Sequence, residues 1–297
     1  MTTLDASTAP VKRTPSGFTP VKRSRKIGDK GAAVLVTAAV VIAMIPLIWL
    51  LWTLVSRGFE AIIDPSWWQK SELRGGALNA IIGTLQQTAI AAVIAIPIGI
   101  FVAIYLVEYG NNSKLQKITT FMVDILSGVP SIVAALFIYA VWRTTFDLPR
   151  SGFVVSLALV LLMAPIVVRS TEEMLKIVPQ DLREASYALG VPKWKTIVRI
   201  VLPTALSGII TGVMLAIARV MGESAPVLIL VGSTKVLNSN PFEGNQQSLP
   251  LMMVQQYNNG PGAFDTVWGA ALTLVILVAI VYFGAKVVSK VFSPKKF

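Results

Sequence analysis

Ionisable side chains are scarce in the long apolar runs of this 297-residue sequence, so the few that occur there are the first candidates for chemistry. Arg219 and Glu223 stand four residues apart within one run, and Arg169 stands near the end of another. Arginine offers several N–H donors to an oxyanion, and a carboxylate accepts a hydrogen bond from a protonated one. Glu172 and Glu173 add a carboxylate pair, which raises the alternative of a divalent metal site.

The residue types that are missing exclude most catalysis. The chain has no histidine and no cysteine, which removes the commonest general base, the Ser-His-Asp triad, thiolate metal sites and disulfides. No G-x-x-x-x-G-K-[ST] loop occurs, so any ATP is bound and hydrolysed by a partner protein. A membrane enzyme that used Glu172 and Glu173 would need a second carboxylate cluster, and there is none. We therefore assign no catalytic residue, no metal and no cofactor to this chain.

The composition is that of an integral membrane protein. Hydrophobic residues make up 54% and charged residues 14%, with a mean hydropathy of +0.69, so membrane lipid and not nucleic acid is the expected environment. Because a bilayer core takes about 20 apolar residues as a helix, we expect an all-α fold with six spans. Their approximate bounds are 31–56, 77–107, 118–142, 152–170, 203–232 and 263–289.

The distribution of Lys and Arg predicts the orientation. Of the 26 basic residues, 19 lie in the two termini and in segments 108–117 and 169–199, while the alternate loops carry six. The positive-inside rule therefore places both termini in the cytoplasm. We expect residues 1–30 to be a disordered basic tail, residues 31–290 to form the membrane domain, and residues 291–297 to be a short basic cytoplasmic end.

A polar stretch of about residues 179–203 interrupts this pattern on the cytoplasmic side: EASYALGVPKWKTIVRIVLP, from Glu184 to Pro203. Asp181 suits the first turn of a short helix, Gly190 ends that helix, and Pro192 begins a second one. Two short helices at an angle make a protruding knob. Its small residues, Ala185, Ser186 and Ala188, would let it enter a groove on another protein, and Leu182, Leu189 and Trp194 would give it apolar surface to bury.

The spacing in this stretch resembles the EAA loop, E-A-A-x3-G-x9-I-x-L-P, of membrane subunits of bacterial ABC importers. The matching residues are Glu184, Ala185, Gly190, Ile200, Leu202 and Pro203, with Ser186 in place of the second alanine. In that family the loop is a coupling helix that docks on the ATPase subunit. The resemblance implies that Glu184 and its neighbours make the docking contacts and that Gly190 supplies the turn.

Further segments resemble permeases of the phosphate importer, of the PstA type: GGALNAIIGTLQQTAIAAVIAIPIGIFVAIYLVEY, SGVPSIVAALF, RSTEEMLKIVP and ARVMGESAPVLILVG. The resemblance implies a type I importer fold, with a five-helix core plus an N-terminal span, in a bacterial inner membrane. It also implies a homologous second permease, an ABC ATPase dimer and an extracytoplasmic phosphate-binding protein as partners. Importers of sulfate, molybdate or phosphonate are the alternatives within this class, and a secondary carrier is the alternative outside it.

Two assignments draw on this resemblance. Arg219 and Glu223 are expected to contact phosphate near the middle of the membrane, with mutual neutralisation as a structural brace the alternative. Arg169 matches a basic family position and is assigned to the same path, although snorkelling explains it nearly as well. Two further interpretations come from the residues alone. Asp124 is interpreted as a structural partner or as a side chain that reaches water. Segment 233–262, rich in Asn and Gln, either helps to receive the binding protein or covers the pathway, or it is a solvated connection with a short helix at 249–257.

Overall fold

A computed structural model describes residues 23–292 of the chain. The described part contains α-helices, short 3₁₀ and π turns and loops, and no strand. The α-helices are α1 Arg23–Ile63, α2 Pro65–Gln69, α3 Leu78–Ile104, α4 Lys114–Gly128, α5 Ser131–Tyr139, α6 Gly152–Ile177, α7 Gln180–Ala188, α8 Lys193–Thr196, α9 Leu202–Met221, α10 Ala225–Leu230, α11 Leu249–Asn258 and α12 Phe264–Phe292.

The chain divides into two compact units, Met1–Trp52 and Thr53–Phe297, and the division falls within α1. The predicted tail, residues 1–30, lies mostly outside the described residues, but its last part is not separate from the first span, because α1 begins at Arg23. Most of the predicted basic end, 291–297, also lies outside them, since α12 is described as far as Phe292.

Among the described residues, five helical segments are long and apolar enough to cross a membrane: Gly28–Ile63, Leu78–Tyr109, Gly152–Ile177, Lys193–Met221 and Pro261–Val287. A sixth span is obtained if α4 and the α5 segment are counted as one. The six apolar stretches of the sequence therefore correspond to real helices, although two of them differ in form from the prediction.

The predicted third span, 118–142, is sharply bent. Helices α4 and the segment Ser131–Thr145 meet at 106°. Pro130 disfavours helical backbone at the residue before it, and Val129 is extended, with φ −68° and ψ 125°. The proline therefore ends one helix and starts another, which is a larger effect than the kink expected for a proline within a span.

The predicted fifth span, 203–232, begins earlier and is broken. The helix starts at Lys193, passes through a π turn at Ile197–Val201 and ends at Met221. A short non-helical link, 222–224, separates it from α10. Hydropathy did not reveal this break, because the sequence remains apolar on both sides of it.

Helix α6 is the centre of the second unit. It packs most extensively against α3 and α9, and its residues Val155, Ala158 and Met163 are fully buried. A Cβ atom at Gly99 of α3 would overlap the side chain of Val167. Glycine is therefore what allows the two helices to approach so closely, and this close packing fixes the helix ends that carry the candidate site.

Candidate functional site

Helix α7 and the turn after it have the local geometry that the sequence predicts. Asp181 lies in the first turn of α7, where a carboxylate is favourable. At the other end the N–H of Gly190 donates to the carbonyl of Tyr187 at 2.9 Å, and the N–H of Val191 donates to that of Ser186 at 3.2 Å. This is a Schellman motif, and Gly190 has the left-handed φ of +74° that it requires. The predicted turn is confirmed.

The two faces of α7 have different surroundings. Glu184, Ala185 and Ala188 are exposed, and no hydrogen bond or ion pair of Glu184 occurs within the described part of the chain. The apolar surface continues across the turn, with Leu189 83% exposed and Trp194 61% exposed. This outer face is the one that a docking partner can reach.

Ser186 does not belong to that face, contrary to the expectation that its small side chain helps the knob enter a groove. It is 3% exposed, and its Oγ lies 2.8 Å from Oγ1 of Thr196. Ser186 and Arg183, three residues apart, form the inner face of α7. The serine therefore holds α7 against the helix that follows.

Arg183 forms a buried junction between three helix ends. Its guanidinium donates to one oxygen of Glu108, from Nε at 3.1 Å and from Nη2 at 3.0 Å. It also donates to the carbonyls of Val178 at 2.6 Å and Leu175 at 2.9 Å. Lys193 donates to the backbone carbonyl of Glu108. We call this set the Arg183 junction. No sequence pattern indicates this junction, because Arg183 is one of several basic residues in the segment 169–199.

Leu202 and Pro203 lie at the start of α9, beyond the π turn, and both are half-buried. They are therefore not on the outer face of α7. Proline has no N–H and cannot make the usual helical hydrogen bond to the residue four positions before it. The π turn at Ile197–Val201 directly precedes it, so these residues shape the helix that leaves the knob.

Arg219 and Glu223 lie on either side of a helix end and form no ion pair. Arg219 is in the last turn of α9 and Glu223 is in the link after it, where its N–H donates to the carbonyl of Val220 at 3.1 Å. Arg219 is exposed, and neither side chain has a hydrogen bond or ion pair within the described part of the chain. An i,i+4 brace on one continuous helix is therefore absent.

The depth of Arg219 follows from the packing of α9 on α6. A Cβ at Gly208 would overlap Met174, and one at Gly212 would overlap Ser170, so the two helices run antiparallel in register. Seven residues along α9 from Gly212 correspond to seven residues back along α6 from Ser170. This places Arg219 level with Met163, about 16 Å from one end of α6 and about 21 Å from the other, at 1.5 Å per residue.

Arg169 forms ion pairs with two carboxylates of this chain. Its Nη1 donates to Glu172 at 2.7 Å, and its Nη2 contacts Asp124 of α4. Glu172 also accepts from Lys176 at 2.7 Å and is 10% exposed. Asp124 therefore has a structural partner, and its side chain is also 57% exposed, so both roles considered for it apply. Arg169 is in contact with α4 and not in contact with Arg219, so the two arginines assigned to one path are in different environments.

Glu172 and Glu173 do not converge on a metal. Glu172 is buried among cations, whereas Glu173 is exposed and has no partner within the described residues. Residues 23–292 contain no cluster of three or more carboxylates that could hold a metal ion.

Segment 233–262 is exposed to solvent only in part. Its helix, predicted at 249–257, is α11, but Gln246 and Gln247 before it are each 1% exposed. Gln246 Nε2 donates to Gln86 at 2.8 Å, and Gln247 Nε2 donates to Glu72 at 3.0 Å. These amides join the segment to α3 and to the 3₁₀ turn Glu72–Arg74 that precedes it. The Asn and Gln content was the available signal, but amide pairs about 160 residues apart in sequence cannot be inferred from it.

Comparison with known proteins identifies the family of this chain. The family model described as binding-protein-dependent transport system inner membrane component matches residues 95–297. Phosphate transport system permease protein PstA 1 of Mycobacterium tuberculosis (strain ATCC 25618 / H37Rv) is 50% identical over 293 residues, which cover 96% of this chain and 94% of that protein. PstA of Mycobacterium leprae (strain TN) is 52% identical over 291 residues, 95% of each. The chain belongs to the PstA family of phosphate transport system permease proteins.

Solved structures agree on the fold. A chain of a bacterial alginate ABC transporter, in complex with an alginate pentasaccharide-bound periplasmic protein, superposes with a TM-score of 0.67 over 92% of this chain and 99% of that chain, at 13% identity. An inward-facing MetNI methionine ABC transporter chain gives 0.57 over 73% and 94%, at 21% identity. The fold is that of type I ABC importer permeases. As a PstA family member, the chain is an inner-membrane transport subunit and not an enzyme.

Proposed function

We propose that this chain is one of two homologous permease subunits of an ATP-driven importer of inorganic phosphate. The relatives named as phosphate transport permeases are about half identical to it over nearly their whole length. The observation that carries the proposal is Arg219, an unpaired guanidinium at the depth of the middle of α6. An arginine at membrane depth is costly and needs either a partner or a use.

Arg219 suits a phosphate ion chemically. A guanidinium donates two parallel hydrogen bonds to two oxygens of one phosphate, which gives both affinity and orientation. The backbone next to it is non-helical, and such a break at membrane depth is tolerated where it is buried in protein or lines a water-filled cavity. Glu223 follows in the link and accepts a hydrogen bond from a protonated phosphate oxygen. Sulfate, which carries no proton at neutral pH, cannot donate that bond.

The face of α9 that carries Arg219 is evidence for a second permease subunit. Thr204, Ser207, Thr211, Leu215 and Arg219 recur every three or four residues and are all exposed. A groove of about 550 Å³ runs along part of this face between α6, α9 and α12. A stripe that carries three hydroxyl groups and ends in an arginine is unfavourable against lipid. We therefore assign this face to the pathway between two subunits.

The remaining partners follow from the predicted orientation. With both termini in the cytoplasm, the outer face of α7 points to the cytoplasm, where an ABC ATPase dimer docks on Glu184, Ala185 and Leu189. The ATPase binds and hydrolyses the ATP. An extracytoplasmic phosphate-binding protein delivers the ion at the opposite end, near the segment before α11. Arg169 acts in this scheme as a link between α4 and α6 and not as a phosphate ligand.

The test is phosphate uptake by the complex reconstituted in liposomes with its ATPase and second permease. Arg219→Gln removes the charge and Arg219→Lys keeps it without the two-pronged geometry. We expect uptake to fall about 10- to 100-fold in the first variant, the range for a lost charge-assisted contact, and less in the second. ATP hydrolysis and subunit composition should be retained.

Arg74→Gln is the matched control, because Arg74 is an exposed arginine in a 3₁₀ turn outside the spans. It should transport like the unmodified protein. Excess sulfate should not compete with labelled phosphate. Uptake at the unmodified rate in Arg219→Gln, or loss of the assembled complex instead of loss of uptake, would contradict the assignment of Arg219 to the path.

A further inference from the structure

The Arg183 junction connects the knob to two membrane helices through one side chain. Arg183 makes four of the five hydrogen bonds that a guanidinium can donate, two of them to Glu108 in the π turn that follows α3 and two to carbonyls at the C-terminal end of α6. The side chains of Arg183 and Glu108 are 8% and 5% exposed. Four of the five guanidinium donors are therefore already used within this chain.

We infer that Arg183 and Glu108 are positioning residues that transmit movement of α7 to α3 and α6. This inference rests on the proposed function, since it concerns how force from the ATPase reaches the pathway. The outer face of α7 receives the partner, while Arg183 faces inward. A displacement of α7 therefore acts on α3 and α6 directly, in addition to acting on α9 along the chain.

The ends that Arg183 holds are suited to movement. Glu108 lies in the π turn Tyr105–Tyr109, and such single wide turns occur frequently at functional sites. The carbonyls of Leu175 and Val178 are at the C-terminus of α6, where backbone acceptors have no helical partner. Arg183 is bonded to parts of the two helices whose own backbone hydrogen bonding constrains them least.

Stability by itself gives no reason for a charged pair at this position. A well-packed apolar pair of similar volume usually stabilises a buried position at least as well as an ion pair does. What the guanidinium adds is a fixed geometry, because its planar fork holds one carboxylate oxygen and two carbonyls at once. Lys193 reinforces the same place, since its ammonium contacts the Glu108 carbonyl and lies 4.9 Å from the ring centre of Tyr109.

The experiment measures phosphate transported per ATP hydrolysed by the reconstituted complex. In Glu108→Gln and in Arg183→Gln we expect this ratio to fall about tenfold, within the ordinary range of coupling free energies, while the ATPase remains bound. Arg143→Gln is the control, because Arg143 forms an exposed ion pair with Asp147 at 2.9 Å at the opposite end of the bundle. Its ratio should equal that of the unmodified complex.

A double variant, Glu108→Gln with Arg183→Gln, separates coupling from folding. Each single change leaves one buried charge unpaired and can lower the amount of protein in the membrane. The double change removes both charges, so we expect the amount to recover while the phosphate-to-ATP ratio stays low. The two changes should also be non-additive in this ratio, because they interrupt one contact.

Three results would overturn the inference: an unchanged ratio in both single variants, recovery of both protein amount and ratio in the double variant, or release of the ATPase from Arg183→Gln. The last result would make Arg183 a docking contact. Failure of the unmodified complex to take up phosphate with ATP is a different outcome, since it would contradict the proposed function and not the role of the junction.

Discussion

The hydroxyl groups of Ser186 and Thr196 lie 2.8 Å apart in the buried angle between α7 and α8. Thr196 is fully buried, and its Oγ1 also lies 3.4 Å from the carbonyl of Pro192. Ser186 occupies the position at which the family pattern has alanine, so this chain has an additional hydrogen bond at the base of the knob. The bond fixes the angle between the two short helices.

The effects of substitutions at Ser186 should therefore reflect packing within the chain and not docking of the ATPase. Ser186→Ala removes one hydrogen bond, and Thr196 keeps its contact with Pro192, so we expect a loss of about 1 kcal/mol or less. Ser186→Leu places three extra carbon atoms in a filled angle and should destabilise the protein by about 1–3 kcal/mol. Thermal unfolding of the purified complex measures both. Equal effects of the two variants would contradict the buried position of the serine.

Gly190 and Gly260 allow a matched test of the turn. Both have a positive φ, of +74° and +94°, and a Cβ at either would meet nothing within 4 Å. A β-branched residue is strained in this conformation at both positions. We expect Gly190→Val to retain membrane insertion but lose uptake and stimulation of the ATPase, and Gly260→Val, near α12, to keep them.

Binding of the ATPase to the outer face of α7 can be tested separately. Glu184→Lys reverses the charge of an exposed carboxylate that has no partner within the described residues. We expect normal insertion with weaker binding of the ATPase, measured by the amount that co-purifies. Full binding by both Glu184→Lys and Gly190→Val would refute the docking assignment of this face.

The orientation has a direct test, because the chain contains no cysteine. Ser239 and Ala188 are both exposed and lie at opposite ends of the bundle. A membrane-impermeant thiol reagent added to intact cells should label Ser239→Cys and should label Ala188→Cys only after the membrane is opened. Ser186 is unsuitable for this purpose, since its burial would block labelling from either side. The reverse pattern would overturn the positive-inside assignment.

The ion pairs of Arg169 differ in exposure, and this decides which carboxylate matters more. Asp124 has 57% of its side chain exposed, whereas Glu172 has 10% and contacts both Arg169 and Lys176. Exposed pairs contribute about 0–1 kcal/mol, while hydrogen bonds to a charged group as little exposed as the Glu172 carboxylate contribute up to about 1.5–3 kcal/mol. Glu172→Gln should therefore lower the melting temperature of the complex more than Asp124→Asn. The opposite order would contradict this account.

The ends of α7 could be predicted from local chemistry, but the face that it turns inward could not. Asp181, Gly190 and Pro192 mark the helix ends through capping and backbone preference, which act over a few residues. Which face turns inward depends on Glu108, about 75 residues away, so the burial of Ser186 contradicted the expectation. Small residue size did not distinguish an interface from a packed angle.

The spans show the same division. Hydropathy located the apolar stretches, because it depends on composition alone. It did not locate the end of α9 at Met221, since the residues after the link 222–224 are again apolar. It could not reveal whether Arg219 is paired, because that depends on the helix end lying between Arg219 and Glu223. The position of Arg219 along its span was inferable from helix rise, and the register of α9 on α6 places it level with the middle of α6.

The buried amides before α11 should make two glycines unequally sensitive to substitution. A Cβ at Gly83 would overlap the backbone oxygen of Gln247, whereas one at Gly152 would overlap the side-chain oxygen of Gln246. A side chain can move away and a backbone carbonyl in a packed segment cannot without displacing its neighbours. We expect Gly83→Ala to raise amide hydrogen exchange across residues 246–252 at least about tenfold, equivalent to about 1.4 kcal/mol of local stability, and Gly152→Ala to have a smaller effect. Ala80→Gly, which changes a fully buried residue on the same helix without adding an atom, controls for perturbation of α3 itself. If Gly152→Ala loosened the segment as much as Gly83→Ala, the side-chain amides and not the backbone contact would hold it to α3.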